Sequence, residues 1–283
     1  MSPATLLALG AIAFWATLAS LGTALAHVPP FLLTGLALAI GSVLGLPALL
    51  RDRRAWAVPP RTLALGIYGL FGFHFLLFIA LRNAPPVEAN LVNYLWPLFM
   101  VVLAPVLLKG VTLRPLHVVA ALLGFTGAAI AILGARSGGV SMGASPATWG
   151  FVPALGSAFI WASYSLWTQR VPAFSTAAIG LFGLVSGLLA LACHALLEPS
   201  VALSGRDWLL IAICGIGPLG AAFYLWDMAL KGGDARQIGI LSYLTPLAST
   251  GLLLVLTGRP LSWTTALAAL MIISAAVIGT RAR

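Results

Sequence analysis

The chain has 283 residues, 61% of them hydrophobic and only 7% charged, with a mean hydropathy of +1.06. A soluble domain carries charge on roughly 25% of its residues, so this sequence has too little polar surface for water and reads as an integral membrane protein. The formal net charge of +9 is spread over short loops, which disfavours nucleic-acid binding and suits placement against anionic lipid.

A membrane-crossing helix needs about 20 apolar residues. Reading for such segments gives ten spans: 4–25, 30–50, 61–82, 86–108, 114–134, 149–171, 173–197, 206–231, 235–258 and 262–281. The first ends in Ala24-Leu25-Ala26, which looks like a signal-peptidase site. Residues 1–5 hold no Lys or Arg, however, whereas a signal peptide opens with positive charge. This span is therefore expected to be a helix of the mature protein. Between the fifth and sixth spans, residues 135–148 are rich in Gly and Ser, the composition of a linker. They divide the chain into 1–134 and 149–283, five spans each.

The halves resemble each other. Leu9-Gly10-Ala11-Ile12-Ala13-Phe14-Trp15-Ala16-Thr17 matches Leu155-Gly156-Ser157-Ala158-Phe159-Ile160-Trp161-Ala162-Ser163, and Tyr94-Leu95-Trp96-Pro97 returns as Tyr243-Leu244-Thr245-Pro246. Five crossings per half turn the second half over, which is the inverted repeat of many secondary transporters. With a cytoplasmic N-terminus, the inner loops and tail hold Arg51, Arg53, Arg54, Arg61, Lys109, Arg114, Arg170, Lys231, Arg236, Arg281 and Arg283. The outer loops hold only Arg82, Arg136, Arg206 and Arg259. That asymmetry places both termini in the cytoplasm.

Within the spans, chemistry is sparse. His74 sits mid-span among Phe71, Phe75 and Phe78 at helical spacing, either as a core histidine bonded to a carbonyl or as a working group. Asn90, Asn93, Tyr94 and Pro97 share one helical face of the fourth span. Two amides and a phenol are not turned to lipid, and a mid-span proline frees a backbone carbonyl that a neighbour or a wet cavity must satisfy. The matching face of the ninth span carries Gly239, Ser242, Tyr243 and Pro246, and the sixth span adds Ser157, Trp161, Tyr164 and Ser165. Trp96, Trp161, Tyr94 and Tyr243 lie too deep for interfacial anchors. Together these point to a cavity between the halves, with Pro97 and Pro246 as hinges. Glu88 and Asp227 stand near span ends, where they are expected to be solvated. Cys193 and Cys214 sit in apolar runs and read as buried thiols. No metalloprotease, nucleophile-elbow or phosphate-loop motif occurs, and the four histidines are scattered. No enzyme activity, metal or cofactor is expected.

Ten spans in two five-span repeats, Trp15 and Trp161 in the first span of each half, and prolines inside the fourth and ninth resemble the EamA branch of the drug/metabolite transporter superfamily. Asn93-Tyr94-Leu95-Trp96-Pro97 is similar to the aromatic amino acid exporters of that branch. The resemblance implies a basket of ten helices around a cavity lined by the first, third, fourth, sixth, eighth and ninth spans. It also implies export of aromatic and other amino acids across the bacterial inner membrane, with His74, Phe78, Asn90, Asn93, Tyr94, Trp96, Trp161, Tyr164, Ser242 and Tyr243 as candidate substrate contacts. The expected partners are amino acids and the lipid bilayer, with a monomer allowed. A multidrug pump would want a buried Glu in the first span, and a phosphate-bearing metabolite carrier would want Lys or Arg in the cavity; neither is present. A non-transporting membrane scaffold is the alternative from another class, and it would need no kinked polar helices in both halves.

Overall fold

The computed structural model describes residues 1–136, 149–257 and 263–281, and all regular structure among them is helical. Seven helices there are long and apolar enough to cross a membrane. They include α1 (Pro3–Ala24), α2 (Pro30–Arg51) and α3 (Pro60–Asn83). The fourth predicted span is split into α4 (Pro86–Asn93) and α5 (Trp96–Leu107), followed by α6 (Pro115–Arg136). The second half contains α7 (Phe151–Trp167), α8 (Ala178–Leu197), α9 (Gly205–Gly232), α10 (Ala235–Leu241), α11 (Leu244–Thr257) and α12 (Trp263–Arg281). Several helices begin at a proline, whose missing N–H costs nothing in a first turn. Ser204 and Asp207 cap α9 reciprocally.

Three boundaries differ from the sequence reading. Ala135 and Arg136 close α6 instead of opening a linker, and the rest of that stretch, 137–148, lies outside the described residues, as does 258–262. The helix of the sixth predicted span, α7, stops at Trp167 and that of the seventh, α8, starts at Ala178, because Pro172 and the turn at Ser175 break the run between them.

Each half has two departures from regular helix, at corresponding places. Helix α3 widens into a π turn at Tyr68–Gly72, and α9 does so at Gly217–Ala221; position 68 plus 149 is 217, and 72 plus 149 is 221. The chain then breaks between Asn93 and Trp96, and again between Leu241 and Leu244. Pro97 cannot donate to the Asn93 carbonyl, nor Pro246 to that of Ser242, so each break lacks that regular helical bond. Tighter turns carry the chain across, with Leu95 N–H donating to the Val92 carbonyl and Thr245 N–H to that of Ser242.

The most extensive packing pairs α6 with α12, α2 with α8, α1 with α9, α7 with α3 and α5, and α5 with α10. Glycine permits the closest of these. A Cβ on Gly41 of α2 would stand 2.7 Å from the Gly215 carbonyl and 2.8 Å from the Gly220 Cα, so α2 can lie against the wide turn of α9 only without a side chain there. Opposite this contact, the Glu198 side chain at the end of α8 is fully enclosed. It accepts hydrogen bonds from the Phe31 and Leu32 amides at the start of α2, at 3.1 and 3.2 Å. The Arg82 guanidinium of α3, at 2.5 Å, and the His194 Nδ1, at 3.0 Å, complete its partners. Three helix ends are thereby tied to one carboxylate.

Candidate functional site

The largest core cluster is aromatic at its centre, where α1, α3, α5, α7 and α9 meet. The Trp161 ring of α7 is the hub. Its centroid lies 5.8 Å from Trp15, 6.4 Å from Trp96, 6.2 Å from Trp226, 5.6 Å from Phe223 and 5.4 Å from both Phe73 and Tyr164. Most of these pairs meet edge-to-face or tilted, the arrangement that brings positive ring edges to negative faces. The hydrogen-bonding edges are occupied as well. Trp226 Nε1 donates to Ser165 Oγ at 3.1 Å, and Trp15 Nε1 donates to the Pro218 carbonyl in the π turn of α9 at 3.1 Å.

The helical irregularities place these groups. A π turn offers carbonyls that the helix no longer uses, and the one in α3 is met by His74, whose Nδ1 lies 2.6 Å from the Leu70 oxygen. His74 then sits buried between Phe73, at 5.0 Å, and Phe78, at 6.1 Å, with Phe223 at 6.3 Å. At the first chain break, the Asn93 Oδ1 accepts the Ser157 hydroxyl at 2.8 Å, tying α4 to α7. Trp96 follows the break and is directed into the rings, 6.5 Å from Trp15 and 5.7 Å from Trp226.

His74, Trp96, Trp161 and Tyr164 thus come together, with Phe78 on the margin, where it stacks edge-on to Phe31 at 5.5 Å. Asn90 and Tyr94 are half-buried and stand outside the ring cluster. Two expected contacts lie elsewhere. Tyr243 is fully buried against Gly124 and Ala128 of α6 and Ile272 of α12, so its face of the ninth span is turned away from the rings. The Ser242 hydroxyl is spent on the Ile238 carbonyl of its own helix at 2.9 Å. Pro97 and Pro246 each follow a chain break within the first turn of the next helix.

Asp227 also departs from expectation. It is buried, with 3% of its surface exposed, because α9 packs on α1 and the segment before α8 covers it. Trp226 and Phe223 belong to the ring cluster but were not singled out from sequence. Their spacing of three residues on one helical face was the available signal, masked by the position of Trp226 near a span end, where a tryptophan reads as an interfacial anchor. The rings also fill the centre where an open cavity was expected: Trp96, Trp161 and Trp226 keep 6%, 3% and 1% of their surface.

Comparison with known proteins places this arrangement in context. The EamA-like transporter family model matches the chain twice, over residues 2–133 and 148–280. A relative in Ancylobacter novellus, called aromatic amino acid exporter YddG, is 42% identical over 286 residues, covering 99% of this chain and 97% of its own. The protein of the same name in Escherichia coli K12 is 28% identical, covering 95% and 94%. A crystal structure at 43% identity superposes with a TM-score of 0.89 over 99% of this chain. The chain belongs to the EamA-like transporter family.

Proposed function

We propose that this chain exports aromatic and other amino acids across the bacterial inner membrane, by alternating access to a site at the aromatic cluster between its two halves. The single observation that carries this reading is the convergence of Trp15, Trp96, Trp161 and Trp226 from four different helices beside the first chain break and two π turns. A substrate ring can take the place of a protein ring in such a cluster with little change in the contacts each ring keeps. The breaks let the helices separate without tearing continuous backbone bonding. The names of the relatives support aromatic amino acids as the substrate class.

In this reading residues 1–134 and 149–283 are inverted five-span repeats, ten crossings in all. Support comes from the two family matches, from the π turns and breaks recurring at offsets of 149 and 148 residues, and from the pairing of α2 with α8, α6 with α12 and α5 with α10. Pro97 and Pro246 act as hinges. Trp96 and Trp161 pack on the substrate ring, with Tyr164, His74 and Phe78 around it. Asn93 offers its amide to the zwitterion, and Asn90 and Tyr94 line the approach. Ser242 and Tyr243 join the site only if the ninth span turns during the cycle.

The test is counterflow of labelled Phe, Trp, Thr and a quaternary ammonium drug in proteoliposomes containing the purified protein. Saturable exchange of Phe and Trp, weaker exchange of Thr and none of the drug is the expected result. Exchange of the drug alone overturns the assignment in favour of a multidrug carrier. No exchange of any of them from verified, inserted protein favours a scaffold.

A further inference from the structure

Where α7 ends, two cavities of about 510 and 400 Å³ lie side by side and share Gln169. Lys109 and Arg170 line the first, and Phe174 and Lys231 the second. Each is large enough for an amino acid with a ring. The Gln169 side chain donates to the Leu230 carbonyl at 2.9 Å and so belongs to the wall of both. One helical turn behind Lys231 is the buried Asp227. Its chain neighbour Trp226 is part of the ring cluster.

The two oxygens of Asp227 are treated very differently. Oδ2 receives both the Thr176 hydroxyl and the Lys231 ammonium, each at 2.6 Å, whereas Oδ1 is buried and receives no hydrogen bond. A buried carboxylate oxygen without a donor is costly, and it is a vacancy for one. Lys231 has the opposite condition. Its three protons go to Asp227 Oδ2, to the Phe174 carbonyl at 2.9 Å and to Thr176 Oγ1 at 3.2 Å, and its ammonium sits 4.0 Å from the centre of the Phe174 ring. These bonds fasten the end of α9 to the segment between α7 and α8.

Resting on the amino acid reading given above, we propose that, as the substrate enters and before it reaches Asn93 at the ring cluster, Asp227 receives its ammonium and Lys231 its carboxylate, their own ion pair being exchanged for two pairs with the zwitterion. Before and after the exchange every charge has a partner. An amine alone would strand Lys231, and an acid alone would strand Asp227. Leaving the buried Asp227 unpartnered is the expensive outcome, and Lys231, whose side chain keeps 34% of its surface, would also lose its ion pair, so the exchange selects for a molecule with both groups. It also releases Lys231 from Phe174 and Thr176, which couples occupancy to loosening of α9 at this end. Lys109 and Arg170 at the adjoining cavity draw the carboxylate end inward.

The test is inhibition of labelled Phe counterflow in proteoliposomes by unlabelled Phe, 3-phenylpropionate and phenethylamine. In the unaltered protein both one-charge analogues should need at least roughly tenfold higher concentration than Phe for half-inhibition, the discrimination expected from one stranded charge. Asp227→Asn keeps the shape and the bond from Thr176 but loses the charge, and should bring Phe and 3-phenylpropionate to within about twofold of one another. Analogues that match Phe in the unaltered protein overturn the proposal. So does an Asp227→Asn protein that keeps its preference for Phe, since a purely structural pair would weaken all three ligands together. If Asp227→Asn fails to insert, the analogue series in the unaltered protein and Lys231→Met, which should lose preference for Phe over phenethylamine, decide the matter. Absence of Phe counterflow in the unaltered protein would instead overturn the amino acid reading, and this proposal with it.

Discussion

Trp96 shows how a single side chain serves both packing and selectivity. It meets Trp15, Trp161 and Trp226 edge-on, the last at 5.7 Å. Trp96→Ala should therefore destabilise the protein by about 3–5 kcal/mol, as large aromatic truncations in cores do, read as a lower thermal midpoint in detergent. In protein that remains folded, Phe counterflow should fall about 2- to 12-fold more than Thr counterflow, because one aromatic contact is worth about 0.5–1.5 kcal/mol beyond burial. Unchanged Phe-to-Thr selectivity would remove Trp96 from the site. Sequence made Trp96, Trp161, Asn93 and His74 legible because polar or amphipathic groups deep in an apolar span need a reason. It misplaced Tyr243 because a helical face shared with Ser242 and Pro246 does not say which neighbour that face covers. It left out Asp227 because a carboxylate near a span end is ordinarily solvated, and only the segment before α8, remote in sequence, encloses this one.

At the scale of elements, the breaks in the fourth and ninth spans were readable from their prolines, but the π turns were not. Glycines at 66, 69 and 72 fit close packing as well as bending, and composition does not separate the two. The structure joins them: a Cβ on Gly69 would lie 2.3 Å from the Tyr164 ring, so the wide turn of α3 is also where α7 presses closest. Gly69→Ala should cost about 1–3 kcal/mol through overpacking, whereas Gly22→Ala in α1, with nothing within 4 Å, should stay within about 0.5 kcal/mol of the unaltered protein. Equal thermal midpoints for the two variants would contradict the tight contact. The Glu198 junction is a second element-scale test. Glu198→Ala leaves the Arg82 guanidinium and two helix-start amides without their acceptor, and should destabilise by about 1–3 kcal/mol. A midpoint unchanged from that of the unaltered protein would show the junction to be dispensable.

At the scale of the whole molecule, the charges that fix orientation and the charges that frame the two cavities lie on the same side. Lys109, Arg170 and Lys231 line those cavities and also belong to the larger set of basic residues, which the charge rule assigns to the cytoplasm. The opposite end holds Arg82 with Glu198, a pair that cancels much of its own charge, and His27 beside Asp207 at 3.1 Å. An exporter must take its substrate from the cytoplasm, and a cationic mouth facing inward suits capture of a carboxylate there. Orientation is therefore a test of the transport reading as well as of the charge rule. In a background with Cys193 and Cys214 replaced, Ala202→Cys should react with a membrane-impermeant maleimide in intact cells, and Arg53→Cys only after permeabilisation. A reporter fused after Arg283 should be active only if it works in the cytoplasm. The reverse labelling pattern would turn the Lys231 cavity outward, and export would then have to begin at the Glu198 end.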